Sequence, residues 1–158
     1  MDGVNQMQSN TSLPEAKCMK PSLSVLTLAV SKLEQAVAFY RDGLGWPTQG
    51  IIGSEFENGA VAFFNLQGGL KLALWPRKSL AADSGLTEQK PSATEISLGH
   101  NVASADEVDL IMAQAASACA VIVKPAHTTF YGGYAGYFQD PDGHLWEVVF
   151  NPGLDALG

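Results

Sequence analysis

Apolar and polar residues alternate along this chain in two rhythms, and the rhythms come twice. Ser24 to Val30 has period two: Leu26, Leu28 and Val30 share one face, and Val25, Thr27 and Ala29 the other. That predicts a strand. Leu33, Ala36, Val37 and Tyr40 then recur at helical spacing behind Ser31-Lys32-Leu33-Glu34. The spacing predicts an amphipathic helix to about Arg41, opened by a capping box and ended by Gly43, Gly45 and Pro47. Extended runs follow at about 48–52, 60–66 and 70–75, with Gly68-Gly69 turning the last two into a hairpin. In the third run Leu70, Leu72 and Leu74 alternate with Lys71, Ala73 and Trp75. Residues 76–94 are polar and aperiodic, with prolines at 76 and 91, and read as a long connection.

The rhythm then restarts. Residues 95–102 alternate as a strand, and Ser104-Ala105-Asp106-Glu107 is a second capping box. Val108, Ile111, Met112 and Ala115 form a second helical stripe, and 120–123 is a short apolar run. An internal repeat of this kind decides the architecture. The expected class is α+β: paired βαβββ modules, at about 22–75 and 95–152, forming cupped mixed sheets around a cleft. Each helix covers one sheet face and leaves the other free to line that cleft. Residues 1–21 and 153–158 are expected to be flexible tails.

The second half closes on the sharpest local signal, Asp140-Pro141-Asp142-Gly143 between two aromatic-rich extended runs. Proline presets φ at the first turn position, and glycine supplies the left-handed residue of a three-residue hairpin with a bulge. Asp140 should then pair with His144 and Tyr137 with Glu147. Residues directly opposite share a face, so a phenol and a carboxylate lie side by side. Phe138, Trp146 and Val148 fall on the other, core-facing side.

The phrases L-A-V-S-K-L-E-Q-A-V-A-F-Y-R-D-G-L-G-W (28–46) and Y-F-Q-D-P-D-G-H-L-W-E-V (137–148), set in paired modules, resemble the vicinal oxygen chelate superfamily. That group spans glyoxalases, extradiol dioxygenases, fosfomycin-modifying enzymes and bleomycin-resistance proteins. The resemblance covers about residues 22–152 and implies the βαβββ repeat, a small-molecule ligand in the cleft and a homodimer. In metal-dependent members it implies four ligand positions on the cupped faces. These fall here on Val25, Ala73, Ser97 and Glu147. Valine and alanine have no donor atom, serine is a poor ligand for a divalent ion, and one carboxylate is not a site. No complete metal site is therefore expected; a divalent metal at Glu147 is the alternative.

The chemistry-bearing residues have two readings each. Glu147 is a general base or ligand acceptor, or a structural carboxylate paired within the sheet. Tyr137 donates to it or to a ligand, or is a half-buried strand aromatic. Trp75 can stack on a flat ligand or fill an interface. Lys71 can meet an anionic group or guard an exposed edge. Ser97 and Asn101 line the second module's cupped face, and Asn101 can both donate and accept. Thr27, on the first module's cupped face, joins them as ligand-binding. His127 and Tyr131 sit in the run Pro125–Gly133, expected to be a lid loop with His127 as its mobile acid–base group. His100 is expected in the core with its hydrogen bonds satisfied. His144 is expected on the helix-facing side, exposed or bonded locally.

Composition narrows the partners. Net charge is -7 and no basic run occurs, which argues against nucleic acid or an anionic membrane. No apolar run is long enough to span a bilayer. Two cysteines, Cys18 and Cys119, do not make a disulfide framework and read as reduced thiols of a cytoplasmic protein. Two functions fit: a metal-free binder of a small, possibly aromatic molecule, or a lyase, isomerase or dioxygenase-like enzyme using Glu147. A structural or regulatory dimer without ligand is the third.

Overall fold

The computed structural model describes residue 19 and residues 21–153, so the expected tails and Cys18 fall almost wholly outside it. The first module runs β1 (Val25–Val30), α1 (Leu33–Ala38), β2 (Thr48–Ile52), β3 (Val61–Asn65) and β4 (Lys71–Pro76). The second runs β5 (Ser97–Val102), α3 (Ala105–Ser117), β6 (Val121–Thr128), β7 (Tyr134–Gln139) and β8 (Leu145–Phe150). Between them lies α2 (Arg77–Ser84). The sheets repeat one order, β1-β4-β3-β2 and β5-β8-β7-β6, with the first pair of each parallel and the rest antiparallel. The α+β class and the paired mixed sheets are those expected from the repeat.

The helix-facing sides of both sheets merge into one core. Leu28, Val30, Phe64, Leu72 and Leu74 pack beneath Ala36, Val37 and Tyr40. Phe138, Trp146 and Val148 pack beneath Val108, Met112 and Ala115. Aromatic rings join the two halves. Tyr40 lies 5.9 Å from Phe64 and 6.0 Å from Trp146, and Trp46 meets Trp146 edge-on at 5.7 Å. Pairs of this geometry add about 0.5–1.5 kcal/mol each beyond burial. The π-helical turn Phe39–Gly43, which follows α1, meets the C-cap of α3 where a Cβ on Gly43 would stand only 2.4 Å from the Ala118 Cβ, so only glycine permits that approach. Gln114 Nε2 seals it by donating to the Gly43 carbonyl at 3.2 Å.

A buried polar cluster ties the modules. The Tyr40 hydroxyl donates to Asp140 Oδ2 at 2.7 Å and accepts from Trp146 Nε1 at 3.1 Å. Asp140 also accepts from the backbone N–H of Asp142 and of His144, both at 2.9 Å, and bonds His144 Nδ1 at 2.7 Å. Burial would raise the Asp140 pKa. The bond and charge of His144, followed by the Tyr40 hydroxyl, outweigh it and hold the carboxyl below its usual range. Of the alternatives for His144, local bonding is the one found.

The hairpin forms as its turn residues require. Gly143 sits at φ 86° and donates to the Asp140 carbonyl at 3.0 Å, and Asp140 N–H reaches the His144 carbonyl at 3.1 Å. Tyr137 pairs with Glu147 and Phe138 with Trp146. The second capping box also forms. Ser104 Oγ accepts from Glu107 N–H at 3.2 Å, and the Glu107 carboxylate accepts from Ala103 N–H at 2.9 Å.

Three local expectations are corrected. The first capping box does not close: Lys32 occupies the N-cap with no side-chain bond. Ser31 N–H instead donates to Asp142 Oδ1 at 2.7 Å, across the module boundary. A long-range acceptor displaces the local cap. The connection 76–94 contains α2, which follows Pro76 and ends at Gly85 in the left-handed conformation, φ 73°. The run Pro125–Gly133 is not a lid loop. β6 continues to Thr128, and Thr129–Gly133 is a tight turn, with Thr129 N–H on the Gly133 carbonyl at 2.9 Å. β6 is the outer strand of its sheet, its register with β7 breaks twice, and Val121, Ile122 and Val123 are exposed.

Candidate functional site

Because the helix-facing sides are consumed by the shared core, the chemistry-bearing residues lie on the cupped faces. On the second sheet, β8 carries Glu147, β7 carries Tyr137 and β5 carries Ser97, Gly99 and Asn101. The Tyr137 hydroxyl donates to Glu147 Oε1 at 2.8 Å. That bond, then burial, raises the phenol pKa, and Tyr131 is near enough to contribute. Tyr137 therefore stays protonated at neutral pH and presents Glu147 with a fixed donor. Glu147 is half-buried, and its second carboxylate oxygen faces no described donor.

Gly99 pairs with Glu147, and a Cβ built there would meet nothing within 4 Å. The floor beside the carboxylate is open space that any larger residue would occupy. Ser97 and Asn101 flank it and are exposed. Lys124 pairs with Tyr137 across β6 and β7. It was missed because a strand ending at Val123 stops one residue short of it.

The first sheet contributes a separate face. A cavity of about 570 Å³ opens there, lined by Phe63, Asn65, Lys71 and Thr48 among others. Lys71 Nζ lies 6.0 Å from the Phe63 ring centroid. Trp75 is half-buried, but its indole N–H donates to the Asn58 carbonyl at 2.8 Å, so only its ring remains for a ligand. Thr27 pairs with Ala73, on the sheet face that carries Lys71 and Trp75, and also edges a groove with Leu98 and His144 between β1 and the start of β5. The structure thus gathers Glu147, Tyr137, Tyr131, Asn101 and Ser97 on one face, and Lys71 and Trp75 on another.

The histidines are placed differently from expectation. His127 is a strand residue paired with Ala135, with Nδ1 3.1 Å from the Pro125 carbonyl, and so is held rather than mobile. It shares the cupped side with Tyr137 by alternation. His100 is on the helix-facing side, as expected, but makes no hydrogen bond to any described residue. Burial lowers its pKa, opposed by the charge of Glu107.

The donor set does not fit a metal centre of the chelating kind. Val25 and Ala73 offer no donor, Ser97 offers only a hydroxyl, and Glu147 is a single carboxylate where a divalent ion takes several oxygen or nitrogen donors. Among the described residues no three His, Cys, Asp or Glu side chains converge. No described helix is long and apolar enough to cross a membrane.

Comparison with known proteins agrees with the fold. Residues 22–148 match the family model of the Glyoxalase/Bleomycin resistance protein/Dioxygenase superfamily. A glyoxalase-related enzyme from Fulvimarina pelagi is 33% identical, with a TM-score of 0.74, covering 88% of this chain and 96% of that one. Lactoylglutathione lyase from Agrobacterium tumefaciens is 21% identical with a TM-score of 0.63, covering 87% and 100%. A genomically encoded fosfomycin resistance protein from Listeria monocytogenes is 21% identical with a TM-score of 0.62, covering 85% and 97%. The last two share the fold alone. No curated protein matches.

Proposed function

Since the chain belongs to the Glyoxalase/Bleomycin resistance protein/Dioxygenase superfamily, we propose that it binds a small organic molecule on its cupped faces without the metal centre of the chelating members. The observation that carries this reading is the Tyr137–Glu147 pair, 2.8 Å apart, beside the open floor at Gly99. It supplies an oriented acceptor next to room for a ligand, while Val25 and Ala73, at two of the four positions that the chelating members use for metal, carry no donor atom. Ser97, Asn101 and Tyr131 surround the pair and supply further polar and aromatic contacts. Lys71, Trp75 and Thr27 belong to the first sheet and would complete the pocket when a second copy lays its first module against the second module of its partner. The exposed cupped faces support such a homodimer. The exposed, unpaired Cys119 thiol supports a reducing, cytoplasmic setting.

Metal analysis of untagged protein purified without added metal tests the first half of the reading. The expected result is substoichiometric metal; one tightly held divalent ion per chain, lost on Glu147→Gln, would overturn it. Gly99→Leu tests the second half. Flat aromatic compounds that raise the melting temperature of the wild type should fail to stabilise the variant, with the apo melting point nearly unchanged. Equal stabilisation of both proteins would move the site elsewhere.

An enzymatic reading rests on the same pair and on His127, which shares the sheet side. There Glu147 would take a proton from a bound substrate and His127 would return one. Turnover of a carbonyl or epoxide substrate that survives Glu147→Gln would exclude it.

A further inference from the structure

The cavity of about 570 Å³ on the first sheet has the size of a ligand pocket. β2, β3 and β4 wall it, with Gln49, Phe63, Asn65 and Lys71 as its chemistry-bearing residues. β2 makes the room. Its register against β3 shifts between Thr48 and Ile51, and Gly50 lies in that shift at φ 84°, with nothing within 4 Å of where a Cβ would stand. Thr48 holds the distortion in place. Its hydroxyl donates to the Phe63 carbonyl at 2.6 Å and accepts from the Gly50 N–H at 3.1 Å. The irregularity is therefore a fixed feature of the wall.

Lys71 gives the cavity its sign. Among the described residues that line it, Lys71 alone is charged. A lysine on an outer strand would serve to guard an edge. β4 is an inner strand, however, and Lys71 pairs with Val25 of β1 on one side and Asn65 of β3 on the other. It guards no edge. Its Nζ lies 6.0 Å from the Phe63 ring centroid, which sets the ammonium over the sheet face. Among the described residues no carboxylate forms an ion pair with it. A chain of net charge -7 thus presents an uncompensated positive charge inside this cavity. The exposed side-chain amides of Gln49 and Asn65 stand beside it as further N–H donors. A cationic ligand is disfavoured by Lys71 itself. A phosphate dianion calls for an arginine fork, a second cation or a helix N-terminus, and none lines the wall.

Resting on the reading that the cupped faces bind a small organic molecule, we propose that this molecule is a monocarboxylate on an apolar ring or short chain. Its carboxylate pairs with Lys71 Nζ and accepts from the Asn65 amide, and its apolar part lies against Phe63 and Ile52. The charged end is directed to the first sheet, because on the second the Glu147 carboxylate would repel it.

Benzoate is the probe, with benzamide as its neutral isostere and benzylamine as its cationic counterpart. Each is titrated into isotope-labelled full-length protein. Benzoate should bind about fivefold more tightly than benzamide, the upper range for an exposed ion pair. Benzylamine should bind more weakly than either, and the benzoate shifts should centre on Phe63, Asn65 and Lys71. Lys71→Met should erase the preference for benzoate, and Lys71→Arg should retain it, both with an unchanged melting temperature because the side chain is exposed. Inorganic phosphate at equal concentration should leave benzoate bound. Equal affinity for benzoate and benzamide, or a preference that survives Lys71→Met, would overturn the proposal. Benzoate shifts confined to the second sheet, or displacement of benzoate by equimolar phosphate, would overturn it as well. Failure of benzoate to bind also defeats it; stabilisation by neutral aromatic compounds would then leave the broader binding reading standing, whereas no binding by any of them defeats both.

Discussion

Removing a single oxygen, Tyr40→Phe, should show how much of the stability resides in the polar tie between the modules. The ring is fully buried, and phenylalanine keeps its contacts with Phe64, Trp46 and Trp146. What is lost is the hydroxyl, which donates to Asp140 at 2.7 Å and accepts from Trp146 at 3.1 Å. A hydrogen bond to a charged group contributes about 1.5–3 kcal/mol, and stranding the buried Trp146 N–H costs about 1–3 kcal/mol. The two overlap, because both depend on one atom. A net loss of about 2–4 kcal/mol follows, a large share of the 5–15 kcal/mol typical of a domain. Urea unfolding followed by tryptophan fluorescence measures it. The midpoint should fall with the slope unchanged, since no more surface is exposed on unfolding. The melting temperature should fall by roughly 4–16 °C.

The acid limb gives a second reading of the same variant. Asp140 has its pKa depressed on folding, so its contribution is fully present above the unfolded carboxylate pKa of about 3.9 and is lost as pH falls through its folded value. Tyr40→Phe removes one of the bonds holding the charged form. Acid unfolding should therefore begin at a higher pH than in the wild type. A loss under about 0.5 kcal/mol at neutral pH with an unmoved acid midpoint would refute the assignment of the tie to this hydroxyl.

Other substitutions test separate features. Gly136→Ala would place a Cβ 2.8 Å from Met112 Cε and 3.1 Å from the Ala126 nitrogen. Methionine can yield but backbone cannot, so a loss of about 1–2 kcal/mol is expected in chemical denaturation. Cys119→Gly should raise stability by about 0.5–1 kcal/mol in the same assay, because Cys119 ends α3 at φ 69°, where a Cβ is strained.

What the sequence made legible was what short-range chemistry decides. The Asp140-Pro141-Asp142-Gly143 turn sets its own register, so Tyr137 opposite Glu147 could be read before any coordinates. The apolar stripes of α1 and α3 named their buried residues because 3.6-residue spacing is independent of the partner. Failures occurred where a distant group intervened. Ser31 looks like an N-cap, but Asp142 claims its backbone N–H from 111 residues away. β6 did not read as one long strand, because its register breaks around Lys124 spoil period two and Pro125 argues against a ladder. α2 is too polar for a stripe, yet Pro76 before it and Gly85 after it were usable boundary signals. His100 was legible in direction and not in bonding, since its lack of a bond to any described residue depends on the surrounding elements.

The outer position of β6 has a consequence for life in a crowded solution. Val121, Ile122 and Val123 form an exposed apolar edge of the sort that templates strand addition and aggregation. Pro125 lacks the N–H such a growing ladder needs, Lys124 places a charge beside it, and the two register breaks bend the strand out of alignment. The irregularities that hid β6 from pattern reading thus also act as gatekeepers, keeping neighbouring molecules from zipping onto the sheet.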